Sequence, residues 1–331
     1  MASGWVHARA PATIANVGPG FDVFSLAVRG LSDDVAIRPA NEDSLAVTGL
    51  GAGSIPTEFA HNTAGIVIEA LRQRTHVRQP LAVRVQKGIP PGRGLGSSAA
   101  SCAAAALAFL KAFPRSRSLG VQGFIQAAVE GEASVAGRHY DNVAGALLGG
   151  FVAIASTEPL VLARESVSPR IAIAIAIPDV VLKTADMRRL LPETVPLRDA
   201  VGNIGRAATL ALALSRGDAA LAGRCLEDRL VEPARSAAIP GFEDARAAAL
   251  AAGAAGFAMS GSGSTVFALA STRVAAWTAA ERMCKAFESG GHRADPLATT
   301  VDNSTPLAAV APKALSRFSI APPPRDTSLG R

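Results

Sequence analysis

Between residues 89 and 100 the chain reads Ile-Pro-Pro-Gly-Arg-Gly-Leu-Gly-Ser-Ser-Ala-Ala. Glycines at 92, 94 and 96 allow positive φ and let backbone N–H groups come close to a ligand. A helix starting just beyond them would add unpaired N–H donors and the positive end of its dipole. Such a loop can bind phosphate, and Ser97 and Ser98 can offer hydroxyls to phosphate oxygens or to Mg²⁺. It is not a Walker A loop, because no Lys-Ser/Thr follows the last glycine. Nor is it a dinucleotide fingerprint, since the third glycine comes too early and no acid sits about twenty residues on. On spacing alone, a loop that only caps a helix is an equal alternative. Two other turns carry polar groups. In residues 11–22 Asn16 and Asp22 flank Gly18-Pro19-Gly20, and in residues 256–269 Ser260-Gly-Ser-Gly263 interrupts an apolar run. Taken singly, both read as ordinary turn chemistry.

These turns need elements to hold them. Residues 6–15 read as a strand entering the 16–20 turn. Residues 81–86 alternate apolar and polar, as a half-buried strand does, and feed the loop at 87–96. Residues 97–113 are small and apolar, begin at serines and stop before Pro114, which predicts a long helix. Residues 149–156 and 171–177 read as strands, and 122–136, 203–214 and 242–253 as helices. Residues 257–269 read as strand, turn, strand. Strands and helices mix without strict βαβ alternation, so the class expected is α+β. Pro and Ser cluster over 156–169 and suggest a domain boundary. The last twenty residues, with Pro322-Pro-Pro324, are expected to be a disordered tail.

The 331 residues suit about two domains. Hydrophobic residues make up 49% and charged ones 18%, which excludes a disordered chain. Net charge is +6, but the arginines are scattered, with no dense run and few aromatics beside them. That argues against nucleic acid and suits a solvated surface or a small anionic ligand. Cys102, Cys225 and Cys284 are odd in number and far apart, which excludes a disulfide framework and favours a reducing compartment. No apolar run reaches the roughly 18 residues of a membrane span, and no signal-type segment opens the chain. A cytoplasmic protein with no membrane partner is expected.

Taken together and in order, the three turn segments resemble the GHMP kinases, and within them the homoserine kinase branch. The similar stretches are Pro-Ala-Thr…Asn-x-Gly-Pro-Gly-Phe-Asp at 11–22 and Pro-x-x-x-Gly-Leu-Gly-Ser-Ser-Ala-Ala at 90–100. Further matches are His139-Tyr-Asp141-Asn142, Thr184-x-x-x-Arg188, Glu232-Pro-x-Arg235 and Pro240-Gly-Phe242. Ser264 stands where the family usually has proline, and Ile14 replaces a small polar residue. Beyond about residue 290 no similarity is recognised.

The resemblance implies a two-domain kinase with its site between the domains. An N-terminal nucleotide-binding domain (1–160) would resemble the second domain of ribosomal protein S5, and a C-terminal domain (161–311) would be ferredoxin-like, followed by the tail (312–331). It implies ATP and Mg²⁺ as cofactors and L-homoserine as the small-molecule substrate, phosphorylated on its side-chain hydroxyl in threonine biosynthesis. A homodimer is also implied, with no interface readable in the sequence. The nucleotide phosphates would lie on Pro90, Pro91, Gly92, Arg93, Gly94, Leu95, Gly96, Ser97, Ser98, Ala99 and Ala100, with Lys87 helping to neutralise their charge. Ser98 and Glu130 would hold Mg²⁺. Arg188 and Arg235 would clamp the substrate carboxylate, Asp22 and Asp141 the ammonium, and His139 its neighbourhood. Asn16, Asn142 and Thr184 would serve the reacting hydroxyl and phosphoryl group. No lysine lies within 11–22, so catalysis is expected to work by alignment and charge stabilisation without a dedicated base. The alternatives are a kinase for mevalonate or a related isoprenoid intermediate, which needs no ammonium site, and a non-catalytic nucleotide-binding protein.

Overall fold

The computed structural model describes residues 4–308 and 318–320. β1 (Val6–Ala15) pairs antiparallel along its length with β2 (Phe24–Pro39), with a register shift between Pro11 and Ala12. β3 (Ser44–Gly49) lies parallel to β4 (Leu81–Lys87), and α1 (Thr63–Thr75) falls between them in the chain. Then come α2 (Ser97–Ala112), α3 (Gly120–Ala133), α4 (Tyr140–Leu148), β5 (Phe151–Thr157) and β6 (Leu160–Glu165). The second half runs β7 (Ala172–Pro178), α5 (Thr184–Arg189), α6 (Leu197–Arg216), α7 (Ala219–Arg224), α8 (Glu232–Ser236) and α9 (Phe242–Ala251). It continues through β8 (Gly256–Met259), β9 (Val266–Ala270), α10 (Arg273–Ser289), β10 (Ala294–Thr300) and β11 (Phe318–Ile320).

Two sheets result. The first is ordered β11-β6-β5-β2-β4-β3, with β1 on β2; the second is ordered β10-β7-β9-β8 and is antiparallel throughout. Numbered in chain order, the second sheet is 4-1-3-2 with helices between first and second and between third and fourth, the ferredoxin-like arrangement expected. The expected division at 160/161 needs correcting, because β6 is hydrogen-bonded to β5 and extends the first sheet to Glu165. The chain also returns: Val301 bridges Val28, and Leu307 joins the core of the first domain. The disordered tail is corrected at three residues, since Phe318–Ile320 pair with β6. The rest of 312–331 lies outside the described residues.

The core of the first domain is built on α2. Nearly every side chain from Ala99 to Leu110 is buried, and most are alanine. Helices apolar on all sides belong in a core. Small side chains let this one pass between the sheet and α1, α3 and α4. No single described helix is long and apolar enough to cross a membrane.

A buried ion pair fixes the mouth of the glycine loop. Lys87 Nζ donates to the Asp33 carboxylate, to Ser97 O at 2.8 Å and to Ser101 Oγ at 2.8 Å. Asp33 also accepts from Gly88 N at 3.0 Å, Ile89 N at 3.1 Å and Ser101 Oγ at 2.7 Å. β2, β4 and the first turn of α2 are therefore tied at one point. Burial lowers the Lys87 pKa, against the raising effect of Asp33. Lys87 lines the cleft between the two sheets, as expected of a residue near the phosphates, but its three protons are already donated inside the protein, so it stands there as the partner of Asp33. Lys87→Met should leave a buried carboxylate unpaired and cost about 3–5 kcal/mol, measured by urea unfolding, with nucleotide affinity of the folded protein retained. Full stability with lost ATP affinity would put Lys87 back on the phosphates.

Candidate active site

Three loops meet at a cleft of about 440 Å³ between the two sheets. The glycine loop forms its floor. Gly92, Gly94 and Gly96 have φ of 67°, 77° and 65°. Four successive carbonyls of this loop accept bonds from outside it. Gly92 O accepts from Leu182 N (3.2 Å), Arg93 O from Thr265 N (3.0 Å), Gly94 O from Ser260 Oγ (2.6 Å) and Leu95 O from Thr13 N (3.1 Å). Among the described residues, none of the N–H groups from Gly92 to Gly96 donates to a protein acceptor. No side chain caps α2 at Gly96, so its opening N–H groups also point to the cleft unpaired. Carbonyls out and N–H groups in make an anion cradle. A Cβ at Gly94 would sit 2.3 Å from Ser260 O, and one at Gly96 2.1 Å from Thr13 Oγ1. Glycine is thus demanded by the packing of neighbouring loops as well as by φ.

Pro91, Gly92, Gly94, Gly96, Ser97 and Ser98 line the cleft. The other expected loop contacts are corrected as to their side chains. Leu95, Ala99 and Ala100 are buried in the core, Pro90 does not reach the cleft, and Arg93 turns away to Asp179 and Pro178 O. Ser97 Oγ donates to Ile89 O at 2.8 Å, which leaves Ser98 as the hydroxyl facing the cleft.

The expected metal ligand Glu130 is also corrected. It lies off the cleft and pairs with Arg74, both partly exposed. Glu132, two residues on, is buried and lines the cleft beside Ser98, whose hydroxyl acts to lower its pKa. Its Oε2 has no hydrogen-bond partner, and burial pushes its pKa up to about 7. A buried carboxylate oxygen aimed at the cleft beside a serine hydroxyl fits Mg²⁺, which takes one or two carboxylates and completes its shell with water and phosphate. The signal was present in the helix period. Val121, Ile125, Ala128 and Glu132 fall on one buried stripe of α3, and position 130 falls on the opposite face.

The turn at 16–22 and the helices α4, α5 and α8 form the other end of the cleft. Asn16, Val17 and Asp22 have φ of 69°, 48° and 57°, a rare conformation for such residues and for a β-branched one above all. Asn16 holds this shape: its Nδ2 donates to Gly261 O at 2.8 Å and its Oδ1 accepts from Asp22 N at 3.1 Å. It therefore acts by positioning the turn. Asn142 Oδ1 accepts from Thr13 Oγ1 at 2.7 Å, and its Nδ2 has no protein partner among the described residues. Thr184 Oγ1 lies 3.3 Å from Ser262 Oγ, at the tip of the Gly/Ser turn.

Arg188 Nη2 donates to both oxygens of Asp22 at 2.8 Å, so Asp22 meets a guanidinium here where a substrate ammonium was expected. The same nitrogen lies 3.2 Å from His139 Nδ1, while His139 Nε2 lies 2.7 Å from Ala136 O. A carbonyl can only accept, so the proton is on Nε2 and Nδ1 receives from Arg188. Burial and the Arg188 charge lower the His139 pKa and keep the ring neutral at pH 7. Arg235 is buried; its Nε donates to Met187 O at 3.1 Å, and its two terminal nitrogens have no protein partner among the described residues. Both guanidinium carbons sit over the Phe21 ring, at 5.3 and 5.2 Å. Nothing in the sequence marks Phe21 as this shared platform. Asp141, at the start of α4, is buried in the cleft, and burial pushes its pKa up to about 7. Behind Arg235, Asp228 caps α8 by accepting from Leu230 N and Glu232 N, and Glu232 accepts from Met259 N.

Residues 62–150 match the GHMP kinases N terminal domain, and residues 210–289 match GHMP kinases C terminal. A homoserine kinase of Halorubrum lacusprofundi is 42% identical over 265 residues, 80% of this chain and 86% of that one. One from Halobacterium salinarum is 40% identical over 306 residues, 92% of this chain and 97% of that one. The crystal structure of a homoserine kinase from Cytophaga hutchinsonii superposes with a TM-score of 0.86 at 34% identity, covering 97% of this chain and 98% of that one.

The two buried acids make stability depend on pH. Glu132 and Asp141 titrate near 7 when folded, against 4.5 and 3.8 ordinarily. As pH rises the unfolded chain ionises first, so stability falls between about pH 4 and 7. Glu132→Gln should flatten that fall in metal-free thermal melts and raise the Mg²⁺ needed for half-maximal rate. Glu130→Gln should leave the Mg²⁺ titration superimposed on the parent's and change stability by no more than about 1 kcal/mol.

Proposed function

This chain belongs to the homoserine kinases of the GHMP kinase family, and from that membership we propose that it transfers the γ-phosphoryl group of ATP to the side-chain hydroxyl of L-homoserine. The reaction gives ADP and O-phospho-L-homoserine, a step of threonine biosynthesis. The observation that carries the substrate assignment is the pairing of two poles in one cleft. Arg188 and Arg235 stand on the Phe21 ring, and the buried acid Asp141 shares their space. An amino acid supplies the opposite charges: a carboxylate for the terminal nitrogens of Arg235 and an ammonium for Asp141. Mevalonate has a carboxylate and would leave Asp141 without a cation.

Phosphoryl transfer asks for positioning and charge neutralisation. The N–H groups of Gly92–Gly96 and the opening of α2 would hold the nucleotide phosphates. Ser98 and Glu132 would hold Mg²⁺, which when bound neutralises charge on the phosphoryl oxygens. The free Nδ2 of Asn142 would hold the acceptor hydroxyl in line, and Thr184 would steady the transferred group from the opposite domain. Asp141 would stay ionised once an ammonium lies against it, since a nearby opposite charge favours the charged form. Catalysis is then alignment plus charge stabilisation, without a dedicated base. The three buried, unpaired cysteines are consistent with a reducing cytoplasm.

An ADP-release assay should give turnover with homoserine and none with mevalonate or galactose. Arg235→Ala removes a charge-assisted contact of roughly 1.5–3 kcal/mol. It should raise the homoserine KM about 10–100-fold and leave the ATP KM in place. Homoserine amide should be a poor substrate for the parent and lose little more on Arg235→Ala, because either change already removes the contact. Independent, additive losses would detach the carboxylate from Arg235.

A further inference from the structure

The two cations nearest the glycine loop are spent. Lys87 donates its three protons inside the protein, and Arg93 is bound to Asp179 and Pro178 O. Arg188 and Arg235 stand over Phe21 at the other end of the cleft. One more cation lines the cleft, Lys183. It is exposed and has no side-chain hydrogen bond or ion pair among the described residues. The acids near it in the chain are taken, Asp179 by Arg93 and Asp186 by Arg189. An exposed lysine is ordinarily a solvated surface charge. The backbone that carries this one sets it apart. Residues 180–184 are tied on both sides of it. Leu182 N donates to Gly92 O at 3.2 Å, Ser264 Oγ donates to Val180 O, and Thr184 Oγ1 lies 3.3 Å from Ser262 Oγ. Lys183 O accepts from Asp186 N at 3.0 Å and Met187 N at 3.1 Å, which opens α5. Leu182 packs on the apolar core of the second domain, and a Cβ at Gly92 would lie 2.9 Å from Val181 Cγ1. Lys183 thus follows a residue bonded to the glycine loop and precedes Thr184, with its main chain fixed and its side chain free.

We propose that Lys183 is a catalytic residue, whose ammonium contacts the γ-phosphoryl group of the bound nucleotide and neutralises charge on it during transfer. In that transfer negative charge spreads over the three outer oxygens of the moving group. The N–H groups of Gly92–Gly96 are fixed dipoles on the side of the first domain. Lys183 is the cation that the second domain sets beside Thr184, and a compact ammonium on a flexible stem can follow the group as it moves. Lys183 takes this role only if ATP is the donor, as proposed above, and takes it whatever the acceptor.

The full chain carrying Lys183→Met should unfold at the parent's urea midpoint, because the side chain is exposed. Its kcat should fall about 10–100-fold, the factor lost with a charge-assisted contact, with the homoserine KM unchanged. Calorimetric titration should show weaker binding of the non-hydrolysable analogue AMP-PNP and unchanged binding of ADP, which lacks the γ-phosphoryl group. Lys183→Arg keeps the charge and should retain more of kcat than Lys183→Met. Lys285→Met, an exposed position on α10 away from the cleft, should match the parent throughout. An unchanged kcat in Lys183→Met, equal weakening of AMP-PNP and ADP, or an arginine variant no better than the methionine one would each overturn the proposal. A parent that turns over no homoserine would overturn the substrate assignment instead, and the AMP-PNP and ADP titrations would still decide the role of Lys183.

Discussion

The carbonyls of Gly92, Arg93, Gly94 and Leu95 all point away from the cleft, and everything the site does depends on that. A loop alone would let these groups rotate towards water or towards one another. Here each accepts a bond from outside the loop, and the four donors come from three places: β1 at Thr13, the Gly/Ser turn and its exit at Ser260 and Thr265, and the segment before α5 at Leu182. With the carbonyls held outward, peptide planarity turns the N–H groups inward. The cradle is therefore organised before any anion arrives, which is the arrangement that makes fixed dipoles effective in phosphoryl transfer. Beneath it, the Lys87–Asp33 pair pins both ends of the loop, where β4 ends and α2 begins.

The opposite pole uses a different device. Arg188 is half exposed and commits its Nη2 to Asp22, whereas Arg235 is buried and has both terminal nitrogens open among the described residues. One guanidinium orders the turn at 16–22; the other turns two unpartnered nitrogens to the same cleft. The strained backbone at Asn16, Val17 and Asp22 persists because Asn16 spans the turn and bonds to the far domain. Strain of this kind needs surroundings that over-determine it, and the bond to Gly261 provides them.

How much of this the sequence discloses depends on the range of the forces involved. The glycine loop, β1, β4 and α2 are legible because local rules make them: φ at glycine, period-two alternation, small apolar residues up to a proline. The Gly/Ser turn between β8 and β9 follows for the same reason. The family resemblance points to Glu130, whereas the helix period sets Glu132 on the inner face of α3. Asp33 is hard to single out because it sits beside Asp34 in a strand, where only alternation separates a buried acid from a partly exposed one. Phe21 and the return of the chain at Val301 and Leu307 depend on contacts between residues far apart in the chain, and no local pattern encodes them.

The outward carbonyls have a consequence for how this motif can travel. Three of their four donors, Leu182, Ser260 and Thr265, come from the second domain. The glycine run is thus not a portable cassette in the manner of a loop that closes on its own strand and helix. Moved into another scaffold, or left on the first domain by itself, it would keep its sequence and lose its shape. Recombination between relatives should accordingly tolerate crossovers that keep the 90–100 segment with residues 180–184 and 260–265 of the same parent. Crossovers that separate them would break a single functional unit whose pieces are merely distant along the chain.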